Sequence, residues 1–435
     1  MTKPKVLMLG WEFPPLINGG LGIACLGLGK AMAQHAELTF YLPKTDPAFA
    51  VSNVELLGFN HLAAPETALK EGDVEFRSFA SVETIPSALL PYAEPEEPKQ
   101  VEHKHVEQVT TETTEHPPAY RSDDLAIFQG DALYGDDVGQ KVISYARVAA
   151  GMAENQDFDI VHAHDWMTFP AGVEIKRRTG KPLVLHVHSL SYDRGGPDAR
   201  GWVYDIERSA MEEADLVIPV SQYTGTICTG HYGIDPAKVH FVHNGAEPVE
   251  AFRTEKPFPE KLVLFLGRLT GQKGPEFFLE IAAKVLETNR NVRFVMAGTG
   301  ERLRELIEAG AFRDVGDRLH FTGFLQKDKV NQLLSMTDVY VMPSVSEPFG
   351  LSALEAAQFD IPAVISKQSG VAEVLTKARM ADYWDVNRMA EHINELLCDE
   401  EAHAAAVKAS KEDQVNCTWE AAASRICELY QSKLG

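Results

Sequence analysis

Two glutamates separated by seven residues lie in the stretch Pro343–Ser366, between two short apolar segments typical of buried strands. Glu347 and Glu355 flank the sequence Phe349-Gly350-Leu351, which we predict to be the first turn of a helix. A loop that runs from the carboxyl end of a strand into a helix is where open α/β sheets bind ligands. Free backbone N–H groups at such a helix start attract an anion, for example a phosphate.

The two carboxylates have different surroundings in this arrangement. Glu355 falls one to two turns into the predicted helix, where its carboxylate can accept hydrogen bonds from neutral hydroxyls. Glu347 precedes the helix and faces whatever group extends beyond the phosphate. A ligand that contacts the helix start, Glu355 and Glu347 together carries a phosphate and many hydroxyls, as a nucleotide-sugar does. A glutamate near a helix start is also favoured electrostatically without any function, so the spacing alone leaves both interpretations open.

A second group of charged residues follows the segment Leu262–Gly267, which is another predicted strand. Arg268 and Lys273 lie in the glycine-flanked turn between this strand and the next helix. A planar guanidinium and a flexible ammonium at one turn can bind a diphosphate, because both direct N–H donors and positive charge toward its oxygens. The chain has 41 Lys and Arg against 63 Asp and Glu, a formal net charge of −22. An anion site must therefore be made positive locally.

Two further motifs follow predicted strands in the N-terminal half. The strand at 4–10 leads into a loop with Gly19 and Gly20, where the backbone can approach a ligand closely. His164 stands just beyond another strand, two residues after His162. A metal pair is one interpretation of these histidines, but we expect that the two rings need not converge, because neighbouring strand residues point to opposite faces.

These motifs resemble those of retaining glycosyltransferases with the two-Rossmann-domain GT-B architecture, especially family 4 and the glycogen and starch synthases. The resemblance rests on three strings, Glu347-Pro-Phe-Gly-Leu351 with the E-x7-E spacing, Gly267-Arg-x4-Lys-Gly274, and Glu12-Phe-Pro-Pro followed by Gly-Gly-Leu-Gly22. It covers nearly the whole chain apart from about residues 65–122. One position departs from it, because many bacterial synthases carry a lysine just before the two glycines, where this chain has Asn18.

The resemblance implies a role for each motif. Glu347 would contact the hydroxyls of the transferred sugar and help to stabilise positive charge there, and His164 would reach the same sugar. The other residues would bind the nucleotide part of the donor. Arg268 and Lys273 would neutralise the diphosphate, the helix start at Phe349, Gly350 and Leu351 would add backbone donors to it, and Glu355 would contact the ribose. Gly19 and Gly20 belong to the glycine loop that lets the backbone approach the ligand, and the position of Gly298 and Gly323 at strand ends on the same edge favours a place around the base. No metal is expected, because the cationic side chains already neutralise the diphosphate and no clear carboxylate metal motif is present.

The elements that position these residues alternate between strand and helix along both halves of the chain. This alternation predicts an α/β fold with parallel sheets and right-handed crossovers, here two Rossmann-like doubly wound domains facing a central cleft. We expect an N-terminal acceptor domain at 1–247, a donor domain at 248–410, and a terminal helix within 411–435 that packs back on the first domain. A length of 435 residues suits two domains.

Composition narrows the class of protein further. An acidic, proline-bearing segment at about 93–120 is poor in apolar residues and is expected to form a mobile excursion. Five scattered cysteines fit free thiols in a reducing cytoplasm. No apolar run approaches the roughly 18 residues that span a bilayer, which argues against membrane insertion. The net charge of −22 argues against a nucleic-acid polymer as partner, and the oligomeric state stays open.

The function that the resemblance implies is transfer of a glucosyl unit from ADP- or UDP-glucose to an α-1,4-glucan, with no cofactor besides the donor. The alternative within the class is another nucleotide-sugar donor and a sugar, sugar-phosphate or lipid-linked acceptor. A nucleotide-sugar epimerase can share the fold but would not need both glutamates together with Arg268 and Lys273. A catalytically inactive carbohydrate-binding relative would be expected to lack Glu347, Arg268 or Lys273, and this chain has all three.

Overall fold

The computed structural model describes residues 3–17, 19–62, 122–130, 132–313 and 315–434, which form two α/β domains. The strands of the N-terminal domain are β1 (Lys5–Leu9), β2 (Glu37–Leu42), β3 (Val54–Gly58), β4 (Ile160–His164), β5 (Leu183–Val187) and β6 (Leu216–Pro219). Those of the C-terminal domain are β7 (Lys261–Leu266), β8 (Val292–Ala297), β9 (Leu319–Gly323), β10 (Val339–Met342), β11 (Ala363–Ser366) and β12 (Arg379–Ala381).

The two sheets share one topology. The first has the order β3-β2-β1-β4-β5-β6, and the second, read from its opposite edge, has β9-β8-β7-β10-β11-β12. Every pair of neighbouring strands in both sheets is parallel. The strand order reverses between β1 and β4 and between β7 and β10, and these switch points are where doubly wound folds bind ligands. The predicted α/β fold of two Rossmann-like domains is confirmed.

Helices cover both faces of each sheet, and this explains the unbroken apolar runs in the central strands. In β1 and β4 the residues Val6–Leu9 and Ile160–His164 are all buried. The helices are α1 (Gly20–Met32), α2 (Ser122–Ala126), α3 (Val138–Ala153), α4 (Phe169–Thr179), α5 (Ser191–Gly195), α6 (Trp202–Glu213), α7 (Gln222–Gly230), α8 (Pro275–Thr288), α9 (Leu303–Phe312), α10 (Lys327–Leu334), α11 (Leu351–Gln358), α12 (Val386–Cys398), α13 (Glu400–Gln414) and α14 (Trp419–Leu434).

Two elements differ in extent from the sequence pattern. The segment at 238–247, which the sequence predicts to be the last strand and turn of the first domain, follows β6 over a short distance: Val239 forms a bridge to Val217, and the N–H groups of His240 and Val242 donate to the carbonyls of Val217 and Pro219 at 2.9 and 3.0 Å. The residues after Val242 then approach the segment before α14, where the Ala246 N–H donates to the carbonyl of Cys417. Beyond Val386 the sequence pattern predicts two helical stretches, and the described residues form three, since the Asp399 carboxylate accepts hydrogen bonds from two N–H groups in the first turn of α13 and so starts a separate helix.

The chain crosses between the domains twice, and the two crossings lie against each other. The Ala246 N–H donates to the carbonyl of Cys417 at 3.1 Å, and the Cys417 thiol donates to the carbonyl of Asn244 at 3.0 Å. After the second crossing, α14 packs on α1 of the first domain. Trp419 fits there because Gly27 carries no side chain, since a Cβ on Gly27 would lie 2.3 Å from the indole. The terminal helix therefore belongs to the core of the N-terminal domain.

Some expectations fall on residues that the structure does not describe. The acidic segment at 93–120, including its three histidines, and the family departure at Asn18 lie outside the described ranges. Among the helices that are described, none combines the length and apolar content that crossing a bilayer requires.

We expect Gly245→Ala to lower the free energy of unfolding by about 1–3 kcal/mol, the range for forcing extra atoms into a packed site. An added Cβ at Gly245 would lie 2.1 Å from the backbone nitrogen of Trp419, and backbone cannot rotate away as a side chain can. Gly230→Ala is the matched control, because nothing lies within 4 Å of its Cβ position at the end of α7. Thermal unfolding of both variants tests this, and equal midpoints would contradict the close crossing.

Candidate active site

Glu347 lies in the loop after β10, and its backbone is paired on both sides with the segment after β11. The Glu347 N–H donates to the carbonyl of Gln368, and its carbonyl accepts from the N–H of Gly370, both at 2.9 Å. The loop then turns into α11 at Gly350, whose φ of 109° lies in the region that favours glycine.

The helix after this loop starts later than predicted. Phe349 was expected in its first turn, but α11 begins at Leu351. The Phe349 carbonyl is not part of the helix ladder, because it accepts a hydrogen bond of 2.6 Å from the N–H of Val371. The backbone N–H groups at the helix start therefore belong to residues from Leu351 onward.

The carboxylate of Glu347 is nearly buried, with 6% of the residue exposed. Its Oε2 accepts from Lys273 Nζ at 2.6 Å and from the Ser344 hydroxyl at 3.2 Å. Lys273 ends a short turn, Gly271–Lys273, that follows β7. Since β7 and β10 are the neighbours at the switch point of this sheet, the ion pair joins the two loops at the place where the topology predicts a ligand site.

Backbone contacts explain how these loops come so close. A Cβ on Gly274, which has a φ of 64°, would lie 2.2 Å from the carbonyl oxygen of Pro343, and a Cβ on Gly298, which has a φ of 142°, would lie 1.9 Å from that of Gly267. Glycine is therefore required at both positions, because the backbone has a positive φ and because a Cβ would clash with a carbonyl oxygen. The Gly298 N–H also donates to the carbonyl of Gly323 at 3.0 Å.

The structure therefore brings most of the predicted donor-binding residues to one edge of the C-terminal sheet. Arg268 is partly buried in the turn between Gly267 and Lys273. Gly298 directly follows β8 and Gly323 ends β9, and Glu347 lies across the switch point from the turn.

Glu355 differs from Glu347 both in its position and in the cation with which it pairs. It lies in the second half of α11 and forms an ion pair with Lys327, the first residue of α10. Lys327 was not singled out from the sequence. The signal that could have found it is its place at a helix start after β9, on the same sheet edge as Arg268. The two carboxylates thus have different cations, Lys273 on one side and Lys327 on the other.

The glycine loop of the first domain faces this edge from across the cleft. Gly20 is the first residue of α1, and a Cβ on it would lie 4.0 Å from Leu351 Cδ1 at the start of α11. Gly19 donates its N–H to Glu12 Oε2 at 3.2 Å. Helix starts from both domains therefore meet at the cleft.

The histidines of the first domain form a stack, contrary to expectation. The rings of His162 and His164 lie 4.6 Å apart with an angle of 12° between their planes. The expectation was wrong because residues two apart in a strand share a face. His186 and His188 continue the stack from β5, where His186 is in register with His164.

Hydrogen bonds link the stacked histidines in pairs and to the terminal helix. His162 Nε2 lies 3.2 Å from His186 Nδ1, and His164 Nδ1 lies 3.0 Å from His188 Nε2. His162 Nδ1 is hydrogen-bonded to the Tyr430 hydroxyl of α14. Burial lowers the pKa of all four rings, to about 3 for His162 and His188, so the stack is neutral at physiological pH.

The stack bears on the expected roles of His164. Its ring has no exposed surface, and its Nε2 has no hydrogen-bond partner within the part of the chain that the structure describes. Ligand atoms of His162, His164 and His186 lie within 4.8 Å of one another, as do those of Cys25, His164 and His188. Ring nitrogens bind zinc at about 2.0–2.1 Å along lone pairs in the ring plane, and nearly parallel rings direct those lone pairs side by side. Metal binding would thus require these rings to turn.

Sequence reasoning missed the contacts on either side of Glu347. The Ser346 hydroxyl donates to Asp193 Oδ1 at 2.6 Å, and the Ser221 hydroxyl donates to the carbonyl oxygen of Pro348 at 2.6 Å. Asp193 and Ser221 belong to the first domain. The paired residues are 153 and 127 positions apart in the chain, so no local pattern could have indicated them.

These features first define a class, the GT-B glycosyltransferases, in which two doubly wound domains face a cleft. The family model described as "Glycosyltransferase Family 4" matches residues 101–250, and the model described as "Glycosyl transferases group 1" matches residues 247–413. The chain belongs to the glycosyltransferases of family 4, of the glycogen synthase-like type, and it is a transferase enzyme.

Relatives across most of the chain agree with this assignment. An uncharacterized glycosyltransferase of Methanocaldococcus jannaschii is 26% identical over 85% of this chain and 82% of its own. Glycogen synthase of Mycobacterium tuberculosis is 24% identical over 98% of this chain and 94% of its own. Alpha-maltose-1-phosphate synthase of Mycolicibacterium smegmatis is 29% identical over 62% of this chain and 78% of its own.

Solved structures share the fold over the full length. Sucrose-phosphate synthase from Thermosynechococcus elongatus superposes with a TM-score of 0.70 at 16% identity, covering 99% of both chains. The catalytic domain of starch synthase IV from Arabidopsis thaliana, bound to ADP and acarbose, has a TM-score of 0.68 at 17% identity and covers 100% of both chains.

The buried histidines predict a loss of stability in acid. They stay neutral in the folded protein but become protonated in the unfolded chain below about pH 6.5, and each proton taken up on unfolding contributes a slope of about 1.4 kcal/mol per pH unit. Asp165 and Asp193 act with the opposite sign, because burial raises the pKa of their carboxyl groups to about 7 and about 6. Four histidines outweigh two carboxylates, so among these groups the net effect is destabilisation as the pH falls from about 6.5 to about 4.

Denaturant unfolding at several pH values measures this slope. His188→Gln removes one proton-binding group of the unfolded state and should make the dependence shallower. Asp165→Asn should make it steeper, because the amide oxygen can still accept the N–H groups of His188 and Ser189 while the opposing titration is gone. Two variants with the wild-type slope would show that these groups are not buried as described.

Proposed function

We propose that the protein transfers a glucosyl unit from ADP- or UDP-glucose to the non-reducing end of an α-1,4-glucan, with retention of the anomeric configuration. The observation that carries the proposal is the 2.6 Å ion pair between Lys273 and the nearly buried Glu347 at the switch point of the donor domain. A cation and an anion side by side suit a reaction that separates charge. The glycogen synthase relative and the ADP-bound starch synthase neighbour support the choice of donor and acceptor.

The charges match those that develop in the reaction. Breaking the bond between the anomeric carbon and the diphosphate leaves positive charge on the sugar and negative charge on the diphosphate. Arg268 and Lys273 stabilise the leaving diphosphate, and Glu347 stabilises the sugar. Such preorganised groups act strongly in a water-poor site, where losing one typically costs about 3 kcal/mol of barrier. The acceptor oxygen then bonds to the anomeric carbon on the face that the diphosphate leaves, and its proton passes to a diphosphate oxygen.

The remaining donor contacts follow from position on the same edge. Glu355 is placed one turn along α11, where it accepts hydrogen bonds from the ribose hydroxyls, and Lys327 beside it holds the carboxylate in place. Gly298 and Gly323 shape the base pocket through their backbone. His164 is the residue of the first domain proposed to act on the donor sugar, which requires its ring, fully buried in this structure, to become exposed. No metal or further cofactor is required, because Arg268, Lys273 and the start of α11 neutralise the diphosphate.

A second candidate is transfer to a sugar-phosphate acceptor. The observation that favours it is the relative named alpha-maltose-1-phosphate synthase, which has 29% identity over 62% of this chain. For either acceptor we propose action in the cytoplasm, where free thiols persist, and all five cysteines of this chain are free.

A panel of donors and acceptors tests the function. Nucleotide release is measured for ADP-, UDP- and GDP-glucose, each with glycogen, maltooligosaccharides or hexose phosphates, with EDTA in a parallel series. We expect release with ADP- or UDP-glucose that depends on glucan and is unaffected by EDTA. Release that depends on a hexose phosphate would instead establish the second candidate. Activity lost in EDTA and restored by magnesium would contradict the metal-independent diphosphate site.

Substitution of the two glutamates should change different kinetic constants. Glu347→Gln should lower kcat by about 100-fold or more with a modest change in donor affinity, because its interaction is made mainly in the transition state. Glu355→Gln should chiefly raise the donor KM, because ribose hydroxyls are contacted before and during the reaction alike. Glu287→Gln, at an exposed ion pair on α8, serves as the control. Near-normal kcat in Glu347→Gln would overturn the assignment of this carboxylate.

A further inference from the structure

We propose that the N-terminal domain positions the Glu347 carboxylate by hydrogen bonds to both of its chain neighbours, with Asp193, Tyr223 and Ser221 as the positioning residues. The inference rests on the proposed function, because it takes Glu347 to be the group that acts on the transferred sugar. It goes beyond that function by assigning a role in transfer to residues of the first domain that contact Ser346 and Pro348 rather than the Glu347 side chain.

The first neighbour, Ser346, is held by two residues of the first domain. Its hydroxyl donates to Asp193 Oδ1 at 2.6 Å, and the Tyr223 hydroxyl lies 2.9 Å from the same serine oxygen. A hydroxyl has one proton to donate, so Ser346 gives its proton to the carboxylate and accepts that of Tyr223. Asp193 is 3% exposed, and its Oδ2 accepts from the N–H of Leu190 at 2.8 Å. A carboxylate buried in this way needs the serine as a partner.

The second neighbour, Pro348, is held by the start of α7. Its carbonyl oxygen accepts from the Ser221 hydroxyl at 2.6 Å and from the Thr224 hydroxyl at 3.2 Å. Ser221 is fully buried and also caps α7, because its Oγ accepts from the N–H of Thr224 at 3.0 Å. The serine that begins this helix thus also fixes the loop of the other domain.

Two further residues of the C-terminal domain strengthen this contact. The Glu373 carboxylate accepts from the N–H groups of Gln222 and Tyr223 at 2.9 and 2.7 Å and from His243 at 2.7 Å. A carboxylate at a helix N-terminus is also favoured by the helix dipole. Gly370 completes the fit, because a Cβ there would lie 2.5 Å from Ser221 Cβ and 2.3 Å from the Pro348 carbonyl oxygen.

The consequence for Glu347 follows from its place between two anchored residues. Within its own domain it keeps the backbone bonds to the segment after β11 and the side-chain bonds to Lys273 and Ser344. On either side the chain is held from both domains, because the Ser346 carbonyl accepts from Gln272 Nε2 at 3.1 Å, while the Ser346 hydroxyl and the Pro348 carbonyl are bound by the first domain. The rate of transfer is sensitive to small displacements of a reacting group, so we expect the bonds from the first domain to complete the working orientation of the carboxylate.

The experiment is a double-mutant cycle on transfer. Ser346→Ala removes the hydroxyl that both Asp193 and Tyr223 contact, and Tyr223→Phe removes only one of the two bonds. We expect kcat to fall about 10- to 100-fold in Ser346→Ala and about 3- to 10-fold in Tyr223→Phe, with donor KM and nucleoside diphosphate affinity within about 3-fold of wild type. The double variant should be no slower than Ser346→Ala, because both changes act through one hydroxyl.

Controls separate positioning from loss of structure and from failure of the proposed function. Thr226→Ala removes an exposed hydroxyl of α7 that donates to the Tyr223 carbonyl of the same helix at 2.7 Å, and the variant should transfer normally. Thermal unfolding must show that Tyr223→Phe remains folded at the assay temperature. Normal kcat in Ser346→Ala, or effects that multiply in the double variant, would overturn the positioning role while Glu347→Gln remains inactive. If Glu347→Gln is as active as wild type, the proposed function fails and this inference fails with it.

Discussion

The ion pair between Lys273 and Glu347 is the contact on which the donor edge depends. A carboxylate with little exposure to water is costly unless it is paired and hydrogen-bonded, so the loops after β7 and β10 must meet. The two residues are 74 positions apart in the chain. Because Gly274 and Gly298 have no Cβ, the backbone at Gly274 can approach Pro343 and the backbone at Gly298 can approach Gly267 more closely than any other residue would allow. The shape of this edge is thus set by one buried charge and by backbone that leaves room around it.

The two domains complete each other at α7. The start of this helix satisfies its own N–H groups with one residue from each domain, since Ser221 accepts from Thr224 and Glu373 accepts from Gln222 and Tyr223. A helix N-terminus left unsatisfied in a buried interface would be destabilising. Contact with the second domain therefore completes the capping of this helix, and the loop that carries Glu347 is bound in the same place.

The histidine stack connects the floor of the N-terminal sheet to the last helix of the chain. Tyr430 of α14 bonds to His162, which bonds to His186 on the neighbouring strand. Burial lowers the pKa of these rings and so keeps them neutral, which avoids placing several positive charges side by side in the core. After the second chain crossing, α14 thus supplies Tyr430 as a hydrogen-bond partner for the buried ring of His162.

The sequence by itself determined the features that depend on neighbouring residues. Alternating strand and helix patterns predicted the two doubly wound domains, and glycine-flanked turns after strands placed Arg268, Lys273 and Glu347 on one edge, because the carboxyl ends of parallel strands lie together. The tertiary structure alone decided which groups pair. The partner of Glu355 is Lys327 and the partner of Ser346 is Asp193, and neither follows from spacing. The start of α11 also depended on a distant contact, the bond from Val371 to the Phe349 carbonyl. Hydrogen bonds between distant segments form only when the fold brings them together, and so no local pattern contains them.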